Sequence, residues 1–460
     1  MKNFLNISTK ALLLSLLLNP ILFINFELKA QKGTVIFDNK GNDFWLAFLP
    51  NFHNYINDND SKLKFGDSLY IFLVADTITK GTIHYYDRYS YEYTHNFIIT
   101  NPNQVYTFKL SYFDFETWGF NRSGTILKDD NDENFCEKAS FASFHIQSDN
   151  QITVYAHSQA VTTSDAFMVL PTDVLGNKYY ILSYKSDGNE FSQGNNTPSQ
   201  FLIVATSDTT NITIKPSTET FRYGKSTQNI TLNKGQVYLV QAKIDDFNYN
   251  RDLTGTEIIS NKPIAIFAGH QRTTIPINSN LTSRDCLIEQ LLPIVTWGKN
   301  ALLAPYPTPL NATSIGSDLF RVLFSSDNTD LFINNQFIGK FNSGQYYESS
   351  LNEDVYISAS NPILVAGFKK TSKDNYNSDA DSDPFMMIIP PIEQYLDEYL
   401  VTNIQAWEYN TSGFIGRYQK VYNYHYITII ANEKDLDSIF IDNTVSYTHL
   451  RAHETPEHLV

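Results

Sequence analysis

The stretch from Asn261 to Pro276, NKPIAIFAGHQRTTIP, contains residue types that are suited to chemistry. A short apolar strand runs to Gly269 and is followed by His270, Gln271 and Arg272. A histidine at a strand end can act as a general base, and a neighbouring arginine can bind an anion. Two interpretations follow: a catalytic or anion-binding site, and a strand end whose polar residues are structural.

Two groups of carboxylates also have spacings that could support chemistry. In DNYNSDADSDP, Asp379, Asp381 and Asp383 stand at alternate positions and could converge on calcium. A solvated acidic insertion is the stronger interpretation, because prolines occupy the glycine and glutamate positions of a calcium loop. In DCLIEQLLP, Asp285 and Glu289 could form the acid pair of a carbohydrate-active enzyme, although hydrogen-bonded strand residues fit the same pattern.

Other chemical motifs are missing from the sequence. It contains no nucleophile elbow, no zinc-protease helix and no phosphate-binding glycine loop, and we predict no cofactor. The two cysteines, Cys136 and Cys286, lack the spacing of a zinc or redox site. Their even number permits one disulfide in an exported protein, and a buried reduced pair is the alternative.

The elements that position these residues recur along the chain. Segments beginning at Leu69, Phe201, Phe320 and Tyr426 each show an apolar strand, a polar turn and a second strand, which predicts a β-hairpin. Three of them are followed by a glutamine marker (NQVYTF, GQVYLV, GQYYES), another apolar strand and a proline marker. The chain therefore contains three units, 69–185, 201–305 and 319–402, and the start of a fourth at 425–444.

The proline marker ends each unit. In the first two copies a glycine follows Pro171 and Pro293 after five residues, whereas the third copy has Pro390 followed by Tyr395.

The repeats decide how the opening stretch is interpreted. His270 occupies a position where the first copy has His157 and the third has a phenylalanine followed by two lysines. A position that accepts both histidine and phenylalanine favours a structural strand end. The segments that follow it differ in length and charge between copies, so we predict that they form a binding rim on loops. The predicted rim residues are His157, His270, Arg272, Lys369 and Lys370.

The repeat pattern predicts an all-β fold built from four-stranded antiparallel groups. Continuous apolar runs such as PIAIFAG indicate strands that are buried on both faces. We favour a β-propeller of about seven blades, the last one truncated, over tandem β-sandwiches.

Composition and the N-terminus exclude several classes of protein. Charged residues make up 18% of the chain and aromatic residues 14%, which indicates an extensively buried sheet protein. The net charge of -15 argues against a nucleic-acid partner, because phosphate binding requires a basic surface. Residues 1–30 have the basic and apolar regions of a signal peptide, and we expect no transmembrane span after cleavage.

Three segments carry a family resemblance: GNDFWLAFLPN (41–51), TGTEIISNKPIAIFAGHQRTT (254–274) and DCLIEQLLPIVTWGKNALLAP (285–305). They resemble the N-terminal domain of IgGFc-binding proteins, and the resemblance extends over residues 35 to about 444. That family includes a mammalian mucus protein and many bacterial secreted members. The resemblance implies an extracellular binding or adhesion module without catalysis, and it assigns no binding residues.

The last residues differ in character from the repeats. The segment VSYTHLRAHETPEHLV, 445–460, contains three histidines and resembles translated adapter sequence, so we assign residues 31–444 to the repeat domain.

The sequence therefore predicts a secreted or cell-surface binding module for a glycoprotein, mucin or immunoglobulin-type ligand. Two alternatives remain: a carbohydrate-active enzyme that uses Glu289 and Asp285, and a structural scaffold for further domains.

Overall fold

The computed structural model describes residues 39–53, 67–119, 135–160, 163–187, 197–244, 250–277, 281, 283–376, 382–396, 398–402, 407–410, 417–420, 426–431, 439–441 and 444–445. The proposed signal peptide lies outside these residues, as do Asp379, Asp381 and all of the segment 445–460 except Val445. No helix of the described part is long and apolar enough to cross a membrane.

The described strands form three large antiparallel sheets that follow one another along the chain. The first sheet contains β1 (Gly41–Ala47), β2 (Ser68–Val74), β3 (Thr79–Tyr86), β4 (Glu92–Ile99), β5 (Val105–Leu110), β7 (Ser143–Ala160) and β8 (Thr163–Val169). The second contains β6 (Ala139–Ser140), β9 (Gly176–Tyr180), β10 (Ser199–Ala205), β11 (Thr210–Lys215), β12 (Gln228–Leu232), β13 (Val237–Gln241), β14 (Glu257–Thr273) and β15 (Asp285–Gln290). The third contains β16 (Gly298–Leu303), β17 (Asp318–Phe324), β18 (Thr329–Ile333), β19 (Gln336–Phe341), β20 (Tyr346–Leu351), β21 (Val355–Lys369) and β22 (Phe385–Ile389).

The remaining described elements are short. Two strand pairs follow the third sheet: β23 (Trp407–Asn410) with β24 (Arg417–Lys420), and β25 (Phe440–Ile441) with β26 (Thr444–Val445). The helices are α1 (Tyr112–Phe115), α2 (Ser372–Tyr376) and three 3-10 helices, Thr172–Val174, Ile294–Thr296 and Ile392–Gln394. We call residues 41–169, 176–290 and 298–389 the first, second and third units. Each begins one strand earlier than the repeat defined from the sequence.

One long strand organises each sheet: β7, β14 or β21, with 18, 17 and 15 residues. In the first sheet, β2 pairs with the C-terminal half of β7 and β3 pairs with its N-terminal half. The second and third sheets repeat this arrangement around β14 and β21. The hairpins predicted from Leu69, Phe201 and Phe320 are therefore wrong, because the two strands run in line along the long strand and do not pair with each other. Residues 432–438 of the fourth, which starts at Tyr426, lie outside the described residues.

The all-β antiparallel prediction is confirmed, but the described strands do not form seven separate blades. A propeller blade is a four-stranded sheet of its own. Here β7 belongs to both four-stranded halves of the first unit, β4-β3-β7-β1 and β5-β2-β7-β8. Because the two halves share this strand, they form one curled sheet. The core cluster of the third unit is built from that unit's own residues, among them Phe320, Leu331 and Ile357. This arrangement of successive units is closer to the tandem alternative.

A glycine and a proline meet at the same place in each unit. A Cβ on Gly41 would lie 2.4 Å from Cβ of Pro171, one on Gly176 2.5 Å from Pro293, and one on Gly298 2.4 Å from Pro391. Each proline caps a 3-10 helix that leads out of its unit. This contact explains why the proline marker recurs. The proline of the third copy is Pro391 and not Pro390, because Pro391 precedes the helix and contacts Gly298.

We expect Gly176→Ala to lower the free energy of unfolding by about 1–3 kcal/mol, because the added methyl group would overlap Pro293 in a packed contact. Thermal and urea unfolding would measure the change. Gly339→Ala is the matched control, because a Cβ there would meet Phe341 only at an ordinary 3.4 Å. Equal effects of the two substitutions would contradict the prediction.

Candidate functional site

The two histidines of the predicted rim lie inside long strands and not in loops. His157 belongs to β7 and His270 to β14, and each strand continues three residues further, which makes the loop assignment wrong. Their exposed fractions are 1% and 0%. Burial lowers the pKa of His157 to about 3 and the pKa of His270 well below its ordinary value, so both rings are neutral. The ring of His157 stacks on Tyr70, and Nδ1 of His270 accepts a 3.0 Å hydrogen bond from the backbone of Arg272.

Lys369 is also buried, at the end of β21. Its Nζ lies 3.2 Å from Oδ2 of Asp318 and donates to the hydroxyl of Tyr376 at 2.5 Å and to the carbonyl of Pro307 at 3.3 Å. Burial raises the pKa of Asp318, and the ammonium group of Lys369 partly offsets that rise. Lys369 thus joins α2 to the segment that contains Pro307.

Arg272 and Lys370 are the predicted rim residues that keep partial access to solvent. The guanidinium carbon of Arg272 lies 4.7 Å from the ring centroid of Phe52, a cation–π contact. Burial, followed by the charge of Arg284, lowers the pKa of Arg272 from its very high ordinary value. Nζ of Lys370 lies 3.5 Å from Oδ2 of Asp374 in the following turn.

Hydrogen bonds join the loops beyond the long strands of the second and third units. The backbone N–H of Ile275 donates to Oγ1 of Thr371 at 3.0 Å, and the N–H of Thr371 donates back to Ile275 at 2.8 Å. The loop 304–317 is fixed to α2 in turn, since Thr313 and Ser314 both donate to the carbonyl of Tyr376. These loops are therefore held in one arrangement.

We define the rim surface as the loop 304–317 together with residues 370–376, which contain Lys370 and α2. Two aliphatic side chains of this loop point into solvent: Leu310 is 79% exposed and Ile315 is 89% exposed. Exposed apolar side chains on an ordered loop can bind a protein ligand, because burying them is favourable and little loop entropy is lost.

Carboxyl groups connect the last strands of the three units. Oδ1 of Asp285 accepts from Oγ1 of Thr163 at 2.7 Å and from the backbone of Ser164 at 2.6 Å. Oδ2 of Asp165 accepts from the backbone of Ile288 at 2.8 Å. Oε1 of Glu289 accepts from the backbone of Ile388 at 3.2 Å, a bond between β15 and β22. These side chains link strands that belong to different sheets.

The proposed acid pair, Asp285 and Glu289, belongs to this group. Burial raises the pKa of Glu289 to about 8, and burial followed by the charge of Asp383 raises the pKa of Asp285 well above its ordinary value. A general acid requires such a proton at neutral pH, but its partner must be ionised to act as a base or nucleophile. Burial favours the protonated form of both carboxyls, and each accepts hydrogen bonds from a neighbouring strand, which fits the interpretation as hydrogen-bonded strand residues.

The calcium hypothesis cannot be followed to its residues, because Asp379 and Asp381 lie outside the described part of the chain. Asp383 is described and lies near Asp285. Within the described residues, no group of three or more His, Cys, Asp or Glu side chains has the geometry to hold a metal ion.

Of the two alternatives for the cysteines, the structure has the buried reduced pair and not the disulfide. Cys136 and Cys286 are both buried and do not bond to each other. Cys136 bridges to β13 and Cys286 lies in β15, and β10 and β14 stand between those two strands. Strands lie about 4.8 Å apart, so this separation exceeds the Cα distance of a disulfide.

A known protein family matches more than half of the chain. The model of the family described as IgGFc binding protein matches residues 165–458. The chain belongs to the IgGFc binding protein family. It is also 24% identical over 272 residues to the human IgGFc-binding protein, which corresponds to 57% of this chain and 5% of the human protein. No solved structure matches the chain.

The IgGFc-binding match covers the rim surface and most of the carboxyl-linked strands, whereas the first unit before Asp165 lies outside it. Sequence reasoning missed Leu310 and Ile315. The available signal was the segment YPTPLNATSIG, in which two aliphatic residues stand between prolines and small polar residues. Such a segment predicts a loop, and an aliphatic residue in a loop can be either a buried anchor or a contact residue.

Proposed function

We propose that this chain is a secreted or cell-surface module that binds a protein ligand and does not catalyse a reaction. The match to the IgGFc binding protein family over residues 165–458 carries this proposal. The human relative is named for binding the Fc part of immunoglobulin, so an Fc fragment is the first candidate ligand. Mucins and other glycoproteins are the next candidates.

The rim surface is the part of the structure that best fits this function. It lies inside the matched range, its loops are fixed by hydrogen bonds, it exposes Leu310 and Ile315, and it carries the charged side chain of Lys370. Apolar contact residues surrounded by polar groups are typical of protein–protein interfaces.

Leu310→Asp and Ile315→Asp are each expected to weaken ligand binding by about tenfold or more, because a charge would replace a buried apolar contact. Lys370→Ala should have a smaller effect on the association rate. The measurement is biosensor binding of the purified chain to an Fc fragment, to mucin and to a glycan array.

Ile78→Asp is the matched control, since Ile78 is 61% exposed in the first unit and far from the matched range. Unchanged binding in all three rim variants would reject the rim surface. Turnover on a panel of glycosidase substrates that Glu289→Gln abolishes would replace the binding proposal with an enzyme.

A further inference from the structure

Two arginine side chains are held close together where β14 ends and β15 begins. Arg272 is the second-last residue of β14, and Arg284 directly precedes β15. Between His270 and Thr273, β14 has one extra residue relative to β15, a β-bulge of the kind that redirects side chains. Nε of Arg272 donates to the carbonyl of Arg284 at 3.4 Å, and Nη2 of Arg284 donates to the carbonyl of Arg272 at 3.2 Å. This exchange fixes one arginine relative to the other.

The two arginines differ in their charge partners. Nε of Arg284 lies 3.1 Å from Oδ2 of Asp187, and its Nη2 also donates to Oγ1 of Thr197 at 2.7 Å. Within the described residues, Arg272 has no carboxylate at ion-pair distance, and its Nη1 and Nη2 donate no hydrogen bond. A half-buried charge without a counterion is unfavourable, so a ligand that supplies one is stabilised there.

The charges around Arg272 favour an anion. Burial lowers the pKa of Arg272, and repulsion by Arg284 lowers it further, by more than either Asp285 or Asp187 raises it. Burial, followed by the charge of Asp383, raises the pKa of Asp285 well above its ordinary value, which makes this carboxyl a poor counterion. An anion at the Nη atoms of Arg272 would reduce the repulsion between the two arginines.

The guanidinium plane of Arg272 is held on one face and at one edge. Its carbon lies 4.7 Å from the ring centroid of Phe52, which is 3% exposed, and its Nε bonds to Arg284. The Nη edge is left for a ligand, and Arg272 keeps partial access to solvent. Two donors in one plane match the two oxygens of a carboxylate, which accept two parallel hydrogen bonds.

We propose that Arg272 binds a carboxylate of the ligand through Nη1 and Nη2, while Phe52 and Arg284 hold its side chain in place. A singly charged carboxylate matches the single arginine that lacks a partner, whereas a doubly charged sulfate exceeds it. The inference rests on the proposed function, in that it names a chemical group of the ligand. An acidic sugar of a glycoprotein and an aspartate or glutamate of a protein both present this group, and the experiment separates the two sources.

Protection of Arg272 from phenylglyoxal, which modifies accessible guanidinium groups, is the first measurement on the full chain. The probes are sialyllactose and N-acetylglutamate amide, each at about 50 mM because one bidentate pair binds a small molecule weakly. Lactose and N-acetylglutamine amide are their neutral matches. We expect at least one carboxylate probe to slow the modification of Arg272 by about twofold or more. Arg222, which is half-buried in the same unit, should react at an unchanged rate.

The probes that protect Arg272 identify the source of the carboxylate. Slowing by sialyllactose alone would assign the acidic sugar, slowing by the glutamate probe alone would assign a protein side chain, and slowing by both would show that the site recognises the carboxylate itself. Equal rates with the charged and neutral probes would overturn the inference. Equal slowing by sodium sulfate at the same ionic strength would also overturn it, because it would show unspecific attraction of anions. This comparison needs no protein variant.

Variants give a second measurement by saturation-transfer NMR of the protecting probe. Arg272→Gln should abolish the signal, and Arg272→Lys should weaken it at least about threefold, because lysine keeps the charge and loses the planar pair of donors. Lys80→Gln is the matched control and should leave the signal unchanged, since it removes a charge that is 71% exposed in the first unit. A signal that Arg272→Gln leaves unchanged would overturn the inference.

Failure of the inference and failure of the proposed function give different results. Protection of Arg272 without binding of Fc or mucin would reject the proposed function and support the inference. Binding of Fc or mucin without protection of Arg272 would do the reverse.

Discussion

Replacing Arg321 by methionine is expected to lower the free energy of unfolding by about 3–5 kcal/mol. Arg321 lies on β17 and is 1% exposed. Its Nη1 donates to Oδ2 of Asp252 at 2.8 Å and to the carbonyl of Ser183 at 2.7 Å, and its Nε donates to Oε2 of Glu348 at 2.7 Å. Methionine would remove the donor that Asp252 and Glu348 share, whereas the carbonyl of Ser183 keeps a bond from Oγ1 of Thr254 at 3.1 Å.

The aromatic surroundings add to the effect. The guanidinium carbon lies 4.6 Å from the ring centroid of Tyr184 and 4.4 Å from that of Tyr346, which come from the second and third units. Burial alone would lower the pKa of Arg321. The neighbouring carboxylates outweigh that effect and raise the pKa above its ordinary value, so the group stays charged. A fixed charge in contact with both units holds them in one relative position.

Urea unfolding of the variant is the measurement, and Lys340→Met is the matched control. Nζ of Lys340 lies 2.7 Å from Asp330 on the surface, with exposed fractions of 52% and 34%, and such pairs contribute about 0–1 kcal/mol. Arg321→Lys should fall between the two, because it keeps the charge and loses the planar set of donors. If Arg321→Met lowered the free energy of unfolding no more than Lys340→Met does, the buried ion pairs of Arg321 would not stabilise the fold.

The position of Arg321 also shows what the sequence could not predict. The equivalent strand positions hold Phe72 and Leu202, so the repeat pattern predicts an apolar residue there. The arginine is stable at this place only because Asp252 and Ser183 come from a different unit. Contacts between units depend on pairing over long sequence distances, and local periodicity carries no information about them.

The glutamine markers, by contrast, were found from the sequence and have a clear physical cause. Oε1 of Gln104, Gln236 and Gln345 each accepts a hydrogen bond from a backbone N–H three or four residues earlier, at 3.3, 2.8 and 2.8 Å. The residue before the glutamine has a positive φ in all three copies: 61° at Asn103, 80° at Gly235 and 76° at Gly344. Local turn chemistry of this kind is visible in a single sequence.

The strands themselves were predicted, but their partners were not. The runs from Leu69 and Phe201 are buried on both faces, as their continuous apolar character indicates. The polar turn after each run is equally compatible with a hairpin and with a bend between two strands that run in line. Only the long partner strand distinguishes them, and polar residues such as Asn150 and Asn261 within it hide its continuity in the sequence. Because a hairpin and two strands in line have the same sequence pattern, the pattern also favours separate four-stranded blades, and hence a propeller.

Glu289→Gln is expected to stabilise the chain at pH 8 by about 2–4 kcal/mol and to have no effect near pH 4.5. Burial raises the pKa of Glu289 from 4.5 to about 8, against a smaller lowering by the hydrogen bond from Ile388. Between these values the folded chain keeps the proton that the unfolded chain has lost, so stability falls as pH rises. The full shift would correspond to about 5 kcal/mol, and the partial exposure of the side chain reduces it.

Glutamine keeps the oxygen that accepts from Ile388 and has no proton to lose, so the difference between wild type and variant isolates this one group. That subtraction matters because His53, whose pKa its carboxylate neighbours raise to about 9, also loses stabilising charge as pH rises. Urea unfolding at pH 4.5, 6 and 8 gives the difference directly, with Glu353→Gln as an exposed control. A difference that does not grow with pH would mean that Glu289 is ionised in the folded chain. In that case Glu289 would not be a neutral hydrogen-bonding group between the sheets. An ionised Glu289 could act as the base or nucleophile beside Asp285, and the enzyme alternative would gain support.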